Sequence, residues 1–478
     1  MQALPRSASK WLLRSLSSAP LSSSRTTFIC ASCRSLQHQQ SHVQSQRQRR
    51  TFASGVPLRE QTQSDSSSST PHPAAQPPSS GYARLRTRRL ISISGTDAPH
   101  FLQGLITTGI EGNHTANLSG AARPTGQDPV PWFYCGFLNA LGRVLHDVFI
   151  YPLAPGPGGE PRFVIEVDAA QLTTLLKHLK RYKLRSRISL RAVDEDEMSV
   201  WQIWRDGADT PAGSVAARPD GRSTIIMIPD LRAPDMGYRV LAVGGAALDL
   251  DLDAHALDLL LPADWKSAAE PEPEPTDEAA YRVRRYLRGV PEGSAEIVPA
   301  QALPLESNMD VMGGVDFRKG CYVGQELTIR TRHRGVVRKR ILPCALYGDG
   351  AAAPTALEYR PGASPIVAAG GGAGGEEERL RGLTIGRLGK KGRSTGTFLA
   401  GVGNVGLALC RVQLMTDLVV PNDTAALEFD PAAEFVLQPG KDGEGEAAGW
   451  EVGAVKVKAF VPEWLRRRLD EDTVGHQA

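Results

Sequence analysis

The chain has 478 residues, 55 Lys and Arg against 52 Asp and Glu, and a formal net charge of +3. One hydrophobic core rarely fills more than about 250 to 300 residues, so two to four domains are expected. The basicity belongs to the head alone. Positions 1–59 carry nine Lys or Arg and no Asp or Glu, and the other 46 cations face 52 acids. A body that is six charges negative gives no general electrostatic reason to bind nucleic acid.

Residues 1–52 are rich in Ser, Arg and Gln, and Lys10 to Leu16 can set Trp11, Leu12 and Leu16 against cations on a helix. This composition predicts a mitochondrial transit peptide, with a processing site near Arg49-Arg50-Thr51-Phe52; a disordered basic tail is the plain alternative. The head lacks the uninterrupted apolar core of a secretory signal, and nowhere does the chain reach the ~18 apolar residues of a spanning helix, so a soluble protein is expected. Cys30 and Cys33 have the spacing of a metal half-site but no second pair. The other cysteines, at 135, 321, 344 and 410, are too scattered for a disulfide framework or a resident iron-sulfur cluster.

Residues 53–80 are Ser and Pro rich and read as a disordered linker. Alternating apolar positions over Arg89–Ser94 predict a strand, and Gly95-Thr96-Asp97 a turn and cap for a helix over Ala98–Leu105. Trp132–Leu138 and Arg143–Tyr151, joined at Asn139–Gly142, predict a hairpin, and Phe163–Val167 another strand. Leu172, Leu175, Leu176 and Leu179 recur at helical spacing up to Lys183. Residues 206–222, 267–278 and 341–378 read as insertions, the last of low complexity and most pronounced from 348 with its Gly370–Gly375 run. Short β-like runs at Gly382–Gly386, Thr397–Leu399, Gly406–Cys410 and Gly453–Val457 predict a small β-barrel over 379–466, followed by a tail at 467–478. The class is α+β.

The densest chemistry lies between Asn308 and Glu326, with four glycines, two Asp, two adjacent cations and one thiol. Gly320 and Gly324 let the backbone turn on either side of Cys321. Arg318 and Lys319, if close in space, would favour its thiolate and make it nucleophilic or metal-binding. The plain alternative is a small buried hydrophobe.

Lys319-Gly320-Cys321-Tyr322-Val323-Gly324-Gln325-Glu326 resembles the signature of the YgfZ-type folate-binding proteins, whose mitochondrial members are iron-sulfur cluster assembly factors. Gly289–Gly293, Pro304–Asn308, Gly314–Phe317 and Arg330–Arg340 resemble the family too, as do Gly95–Gly104 and Phe137–Arg143, so the likeness runs from about Leu90 to about Trp464. It implies an aminomethyltransferase-like three-domain ring around a channel for tetrahydrofolate, with 81–340 as the folate-binding region in two α+β subdomains and the barrel behind it. It also implies a matrix factor acting late in [4Fe-4S] maturation, working with iron-sulfur carrier proteins and client enzymes. Cys321 would be its reactive centre, ligating iron or cluster transiently, with no permanently bound metal. Asp316, Gln325 and Glu326 suit a pterin, and Lys319, Gly320 and Arg332 complete the expected folate set; the run Arg330–Arg340 suits the glutamate tail or is a solvated strand pair turning at Gly335.

Glycine-cleavage aminomethyltransferases carry two acids in the hairpin position of His146-Asp147. Losing one carboxylate argues against ordinary aminomethyl transfer, and Asp147 then serves alone or ends a strand. A folate-dependent aminomethyltransferase or demethylase is nevertheless the first rival. An RNA-binding or tRNA-modification accessory protein is the second, suggested by the basic run and by bacterial relatives linked to tRNA modification. Gly401–Gly406 matches the dinucleotide pattern G-x-G-x-x-G, but Leu407–Val412 reads as a barrel strand rather than the helix that pattern requires.

Overall fold

The computed structural model describes residues 76–110, 133–207, 214–217, 224–244, 273–363, 365, 379–390, 393–420, 429–438 and 455–475. The expected transit peptide and processing site, most of the expected linker and the Gly370–Gly375 run lie outside them.

Three sheets carry the fold. An antiparallel five-stranded sheet has the order β3-β4-β5-β2-β6, from β2 (Arg88–Ser94), β3 (Phe133–Leu138), β4 (Val144–Leu153), β5 (Arg162–Asp168) and β6 (Ser189–Ala192). Its central strands are apolar on both faces because both are covered. Side chains alternate along a strand, so Ile91, Ile93, Val148, Ile150, Ile165 and Val167 pack under helices α1 (Ala98–Gln103) and α2 (Leu172–Lys183) with Leu102, Leu175 and Leu179. Leu90, Phe149, Tyr151 and Val164 take the other face and join the central core. The same parity sends Arg88, Asp147 and Glu166 inward.

The second sheet has the order β11-β1-β7-β10-β9-β8, from β1 (Ser80–Arg84), β7 (Met198–Arg205), β8 (Ser214–Ala217), β9 (Thr224–Pro229), β10 (Tyr238–Val243) and β11 (Glu274–Pro275). Val200, Trp204, Ile226, Ile228 and Leu241 enter the central core, whereas Trp201, Ile203, Met227, Tyr238 and Val240 form a separate cluster on the far face. Gln202 and Arg239 share the inward parity. Helix α3 (Glu278–Arg288) starts at Asp277, whose carboxylate accepts the Ala280 N–H at 2.8 Å, and ends at left-handed Gly289 (φ +70°). It buries Tyr281, Arg284 and Arg285.

A closed barrel completes the chain in the order β12-β15-β14-β13-β16-β17: β12 (Lys339–Gly348), β13 (Thr384–Arg387), β14 (Gly396–Val402), β15 (Val405–Arg411), β16 (Phe435–Gln438) and β17 (Val455–Ala459). Leu342, Cys344, Ile385, Phe398, Ala408, Cys410, Leu437 and Val457 are buried in the central core. The α+β class and the C-terminal barrel match expectation. The G-x-G-x-x-G run is the β14–β15 hairpin, as its barrel context predicted. Among the described residues no helix is long and apolar enough to cross a membrane.

Several boundaries differ from the sequence reading. Residues 341–348 belong to no insertion: β12 pairs with both β15 and β17, so the barrel opens at Lys339 rather than 379. In 267–278, Glu274 and Pro275 pair with β1 and Asp277 caps α3, and in 206–222 strand β8 pairs with β9. In the tail expected at 467–478, residues up to Gly475 belong to α5 (Glu463–Gly475), which is tied down because Arg468 Nη1 donates to the carbonyls of Arg232 (2.9 Å) and Val311 (2.7 Å). The basic run is no strand pair turning at Gly335: α4 (Gln325–Arg334) occupies its first part, and Gly335 accepts the close approach of Thr331 that a side chain would block. Arg340 is buried against Asp310 at 2.9 Å rather than solvated. Pairing with other strands decided β8, β11 and β12, and contacts with distant segments decided the two helices.

Candidate functional site

The Cys321 loop is fixed from both sides. The Asp316 N–H donates to Thr107 O (2.9 Å) and the Val323 N–H to Gly104 O (3.1 Å), while the Thr107 hydroxyl donates to Gly314 O. Lys319 is the main tie: its ammonium donates to the carbonyls of Gln103 (2.7 Å), Ile106 (2.6 Å) and Thr108 (3.0 Å) and lies 4.8 Å from the centroid of the Tyr322 ring. Burial pulls its pKa down to about 8, partly offset by Cys135 and Asp316. The Tyr322 N–H donates to Gln325 Oε1 at 3.2 Å, and Gly324 begins α4 in the left-handed region (φ +83°). A side chain at Gly324 would sit 2.2 Å from Asn139 O, and one at Gly142 (φ +77°) 2.8 Å from Leu327 Cβ, so the β3–β4 hairpin tip and the start of α4 meet backbone to backbone.

On this frame Gly320 has open space around it and Cys321 is an exposed free thiol. The other described cysteines, Cys135, Cys344 and Cys410, are buried. Burial pushes Cys135 and Cys410 up to about 12 and Cys344 well above the usual thiol range, so they stay protonated near neutral pH.

The remaining residues expected for folate stand around the thiol. Asp316 Oδ1 accepts the Arg318 N–H at 2.8 Å, Glu326 is exposed in the first turn of α4, and the Arg332 guanidinium lies 4.7 Å from the Phe317 ring centroid. Lys319 does not serve the role expected of it beside the sulfur, because its ammonium is turned into the three carbonyls.

A second polar centre, not anticipated from the sequence, fills the space between the inward faces of the two open sheets. Arg88 Nε donates to Glu166 Oε1 (2.7 Å), which also lies 3.0 Å from Arg239 Nη2. Glu292 Oε2 meets Arg239 (2.6 Å) and Arg232 (2.7 Å) and accepts the Tyr281 hydroxyl proton at 3.0 Å. Arg232 is bidentate to Asp230, and Arg285 to Glu296. Desolvation would cost each ion several kcal/mol, and charge pairing offsets it. Burial alone would raise the Glu292 pKa, but Arg239, Arg232, Arg88 and Arg285 hold it well below the usual carboxylate range.

Asp147 is the least compensated member. Burial raises its pKa against the opposing effect of Arg88. Its Oδ1 accepts the Gly293 N–H at 3.0 Å, and its Oδ2 is 3.6 Å from Arg88 Nη1. These last two atoms and the Tyr134 hydroxyl have no hydrogen-bond partner among the described residues. Asp147 therefore lies inside β4 and does not end it. His146, one residue away, necessarily takes the opposite face of the strand. There burial and His178 pull its pKa down to about 4, leaving a neutral imidazole under the helices. His146 and Asp147 thus do not form a pair.

A cleft of about 370 Å³ opens beside this centre where the five-stranded sheet, α3 and the barrel meet, lined by Arg88, Asp168, Arg282, Arg285, Glu292, Ser294 and Arg381 among others. None of Asp316, Lys319, Gly320, Gln325, Glu326 and Arg332 lines it. The sequence carried one signal for the missed residues: Arg88, Glu166 and Arg239 are charges set in otherwise apolar strands, where a buried partner is required. The orphaned Asp147 and Tyr134 atoms are buried behind the lining, whereas Arg88, Arg282 and Arg381 in the lining itself suit a ligand with an anionic tail.

No family model matches the chain. It is similar to the "Iron-sulfur cluster assembly factor IBA57 homolog, mitochondrial" of Pyricularia oryzae, 48% identical over 396 residues that cover 83% of this chain and 87% of that protein. The protein of the same name from Neurospora crassa is 43% identical over 463 residues, covering 94% and 90%. Among solved structures, the glycine cleavage system aminomethyltransferase T of Bartonella henselae aligns with a TM-score of 0.49 at 13% identity, over 81% of this chain and 87% of that one.

Proposed function

The chain belongs to the family of mitochondrial iron-sulfur cluster assembly factors named IBA57 homologs, and from that premise we propose that it acts in the mitochondrial matrix late in [4Fe-4S] cluster maturation, with Cys321 ligating iron or cluster in passage. The observation that carries this reading is the contrast among thiols: three are buried with raised pKa values, and Cys321 stands exposed on a loop fixed at both ends. Clusters are held by about four thiolates. Among the described residues no three His, Cys, Asp or Glu side chains group closely enough to hold a metal ion. The other ligands then come from iron-sulfur carriers and client enzymes.

We place tetrahydrofolate in the cleft. Asp168 and Arg88, which line the cleft, would face the pterin edge, and Arg282 and Arg381 would meet the glutamate carboxylates. When bound, the folate supplies an amine able to carry one carbon. Arg282→Ala/Arg381→Ala should weaken tetrahydrofolate binding roughly tenfold in a fluorescence titration, as expected for lost charged hydrogen bonds; unchanged affinity would move the ligand elsewhere. The Asp147 carboxyl, with its raised pKa behind the lining residue Gly293, favours a one-carbon transferase as the second reading, which measurable turnover of a small amine by the purified protein would support.

The main reading is tested by Cys321→Ala in cells lacking the endogenous protein. Matrix [4Fe-4S] enzymes should lose activity while a [2Fe-2S] control and the level of the variant are unchanged. Full activity would sink the proposal.

A further inference from the structure

Residues 169–193 hold seven Lys or Arg and no Asp or Glu, in a body that is six charges negative. Two of the seven are spent, Arg187 on Asp97 and Arg191 on Glu197. Lys177, Lys180, Arg181, Lys183 and Arg185 have no side-chain hydrogen bond or ion pair among the described residues. Lys177, Lys180 and Arg181 are exposed on α2 at spacings of three and four, so they share its outer face. Leu175 and Leu179 hold the opposite face to the five-stranded sheet.

This basic ridge ends on an apolar tip. The Ser186 N–H donates to Lys183 O at 2.8 Å, closing a tight turn with Leu184 and Arg185 at its centre. Leu184 has φ +43° and ψ −111°, the first central position of a type II′ turn, which glycine normally fills. Its side chain is 86% exposed and stands between two cations, Lys183 and the exposed Arg185. The Arg187 N–H donates to Asp97 Oδ2 at 2.7 Å and fixes the far side of the turn. Cations in the last turn of a helix favour its dipole, which accounts for Lys180, Arg181 and Lys183. The dipole does not account for a bulky apolar side chain held in water by a backbone conformation that disfavours it.

We propose that the outer face of α2 and the Leu184 turn make a reversible contact with the surface of an anionic phospholipid bilayer. Charge complementarity selects this occupant: lipid phosphates meet the five cations, and the acyl layer directly beneath those phosphates receives Leu184. A nucleic acid offers phosphates without an apolar layer. The aromatic rings at the ridge are not free to stack on bases either, because His178 and Tyr182 are half-buried and pack on each other at 4.7 Å. An acidic protein would have to set an apolar pocket inside a ring of carboxylates, whereas a bilayer presents that order over its whole surface. The contact is independent of Cys321 and of the cleft.

The test titrates the full chain with vesicles of phosphatidylcholine, alone or with about 30% phosphatidylglycerol, and follows amide exchange across 180–188. The head carries nine cations of its own, so the readout has to be local to the ridge. Exchange there should slow several-fold with anionic vesicles and stay unchanged with neutral ones, and the slowing should fade towards ~0.5 M salt. Leu184→Gly should raise the lipid concentration at half effect several-fold, with thermal unfolding undiminished because glycine suits the turn. Lys177→Gln/Lys180→Gln/Arg181→Gln should raise it roughly tenfold or more. Equal slowing by neutral and anionic vesicles, or equal slowing in wild type and both variants, overturns the proposal. A triple variant that melts lower yet keeps full protection by vesicles also overturns it, since the cations then serve the helix dipole alone. Protection of 180–188 by an RNA oligonucleotide, with none from anionic vesicles, overturns it in favour of nucleic acid.

Discussion

The thiol loop and the buried charge centre solve opposite problems with different materials. Around Cys321 the fixing bonds run mostly to backbone carbonyls, from backbone N–H groups, the Thr107 hydroxyl and one lysine, and the reactive atom is left in solvent. In the centre four guanidinium groups face five carboxyls away from water, and most of their atoms are spent on a neighbour. The loop therefore presents a group at little cost to the fold, whereas the centre joins two sheets and α3 through ions that cannot be removed singly. Presentation and cohesion are separable, and substitutions should separate them.

The sharpest break comes from Glu292→Ala. It strands Arg232 and Arg239 without their shared carboxylate, and denaturant unfolding should show a loss of about 3 to 5 kcal/mol, or failure to accumulate folded protein. A loss under 1 kcal/mol would mean the centre is not cohesive.

Next is pH. His146 has a folded pKa of about 4 against 6.5 for the free side chain. The unfolded chain binds its proton first as pH falls, so stability declines from pH 6.5 and is lost in full near pH 4, by up to about 3 kcal/mol. Asp147, with a raised pKa, works in the opposite sense, favouring the folded state as pH drops towards the ordinary carboxylate value. His146→Gln should flatten the first slope in urea melts at stepped pH; an unaltered slope would assign the acid sensitivity to other groups.

The smallest effect on stability, and the most local, is expected from Lys319→Met. Global unfolding should change by about 1 to 2 kcal/mol, while amide exchange accelerates within 314–324 and leaves the β-strands untouched. Lys319→Arg should not restore protection, since a planar fork cannot reach three carbonyls that converge on a point. Uniform exchange would make Lys319 an ordinary packing residue.

Much of this comparison was readable from the chain. Periodicity sufficed for β2 to β5 and α2, whose apolar spacing is regular, and the crowding of glycine and charge marked the Cys321 loop. The centre was not readable, because its residues come from positions 88 to 296 and acquire meaning only when two sheets turn the same parity toward each other. Lys319 shows the complementary failure. Its neighbour in sequence is the thiol loop, its neighbours in space are the carbonyls of 103–108, and nothing local distinguishes a cation aimed at a ligand from one closing a turn. The strand β12 was missed because the low complexity beyond it obscured Ile341–Tyr347.

The distribution of cysteines has a practical side. Cys30 and Cys33 lie in the head expected to be removed, and Cys135, Cys344 and Cys410 are buried. A chain lacking that head would thus allow single-site labelling without substitution: a maleimide dye or nitroxide would enter at Cys321 alone in the native state, and at three further positions only after denaturation. A spectroscopic ruler placed there would report the approach of any second molecule to the loop itself.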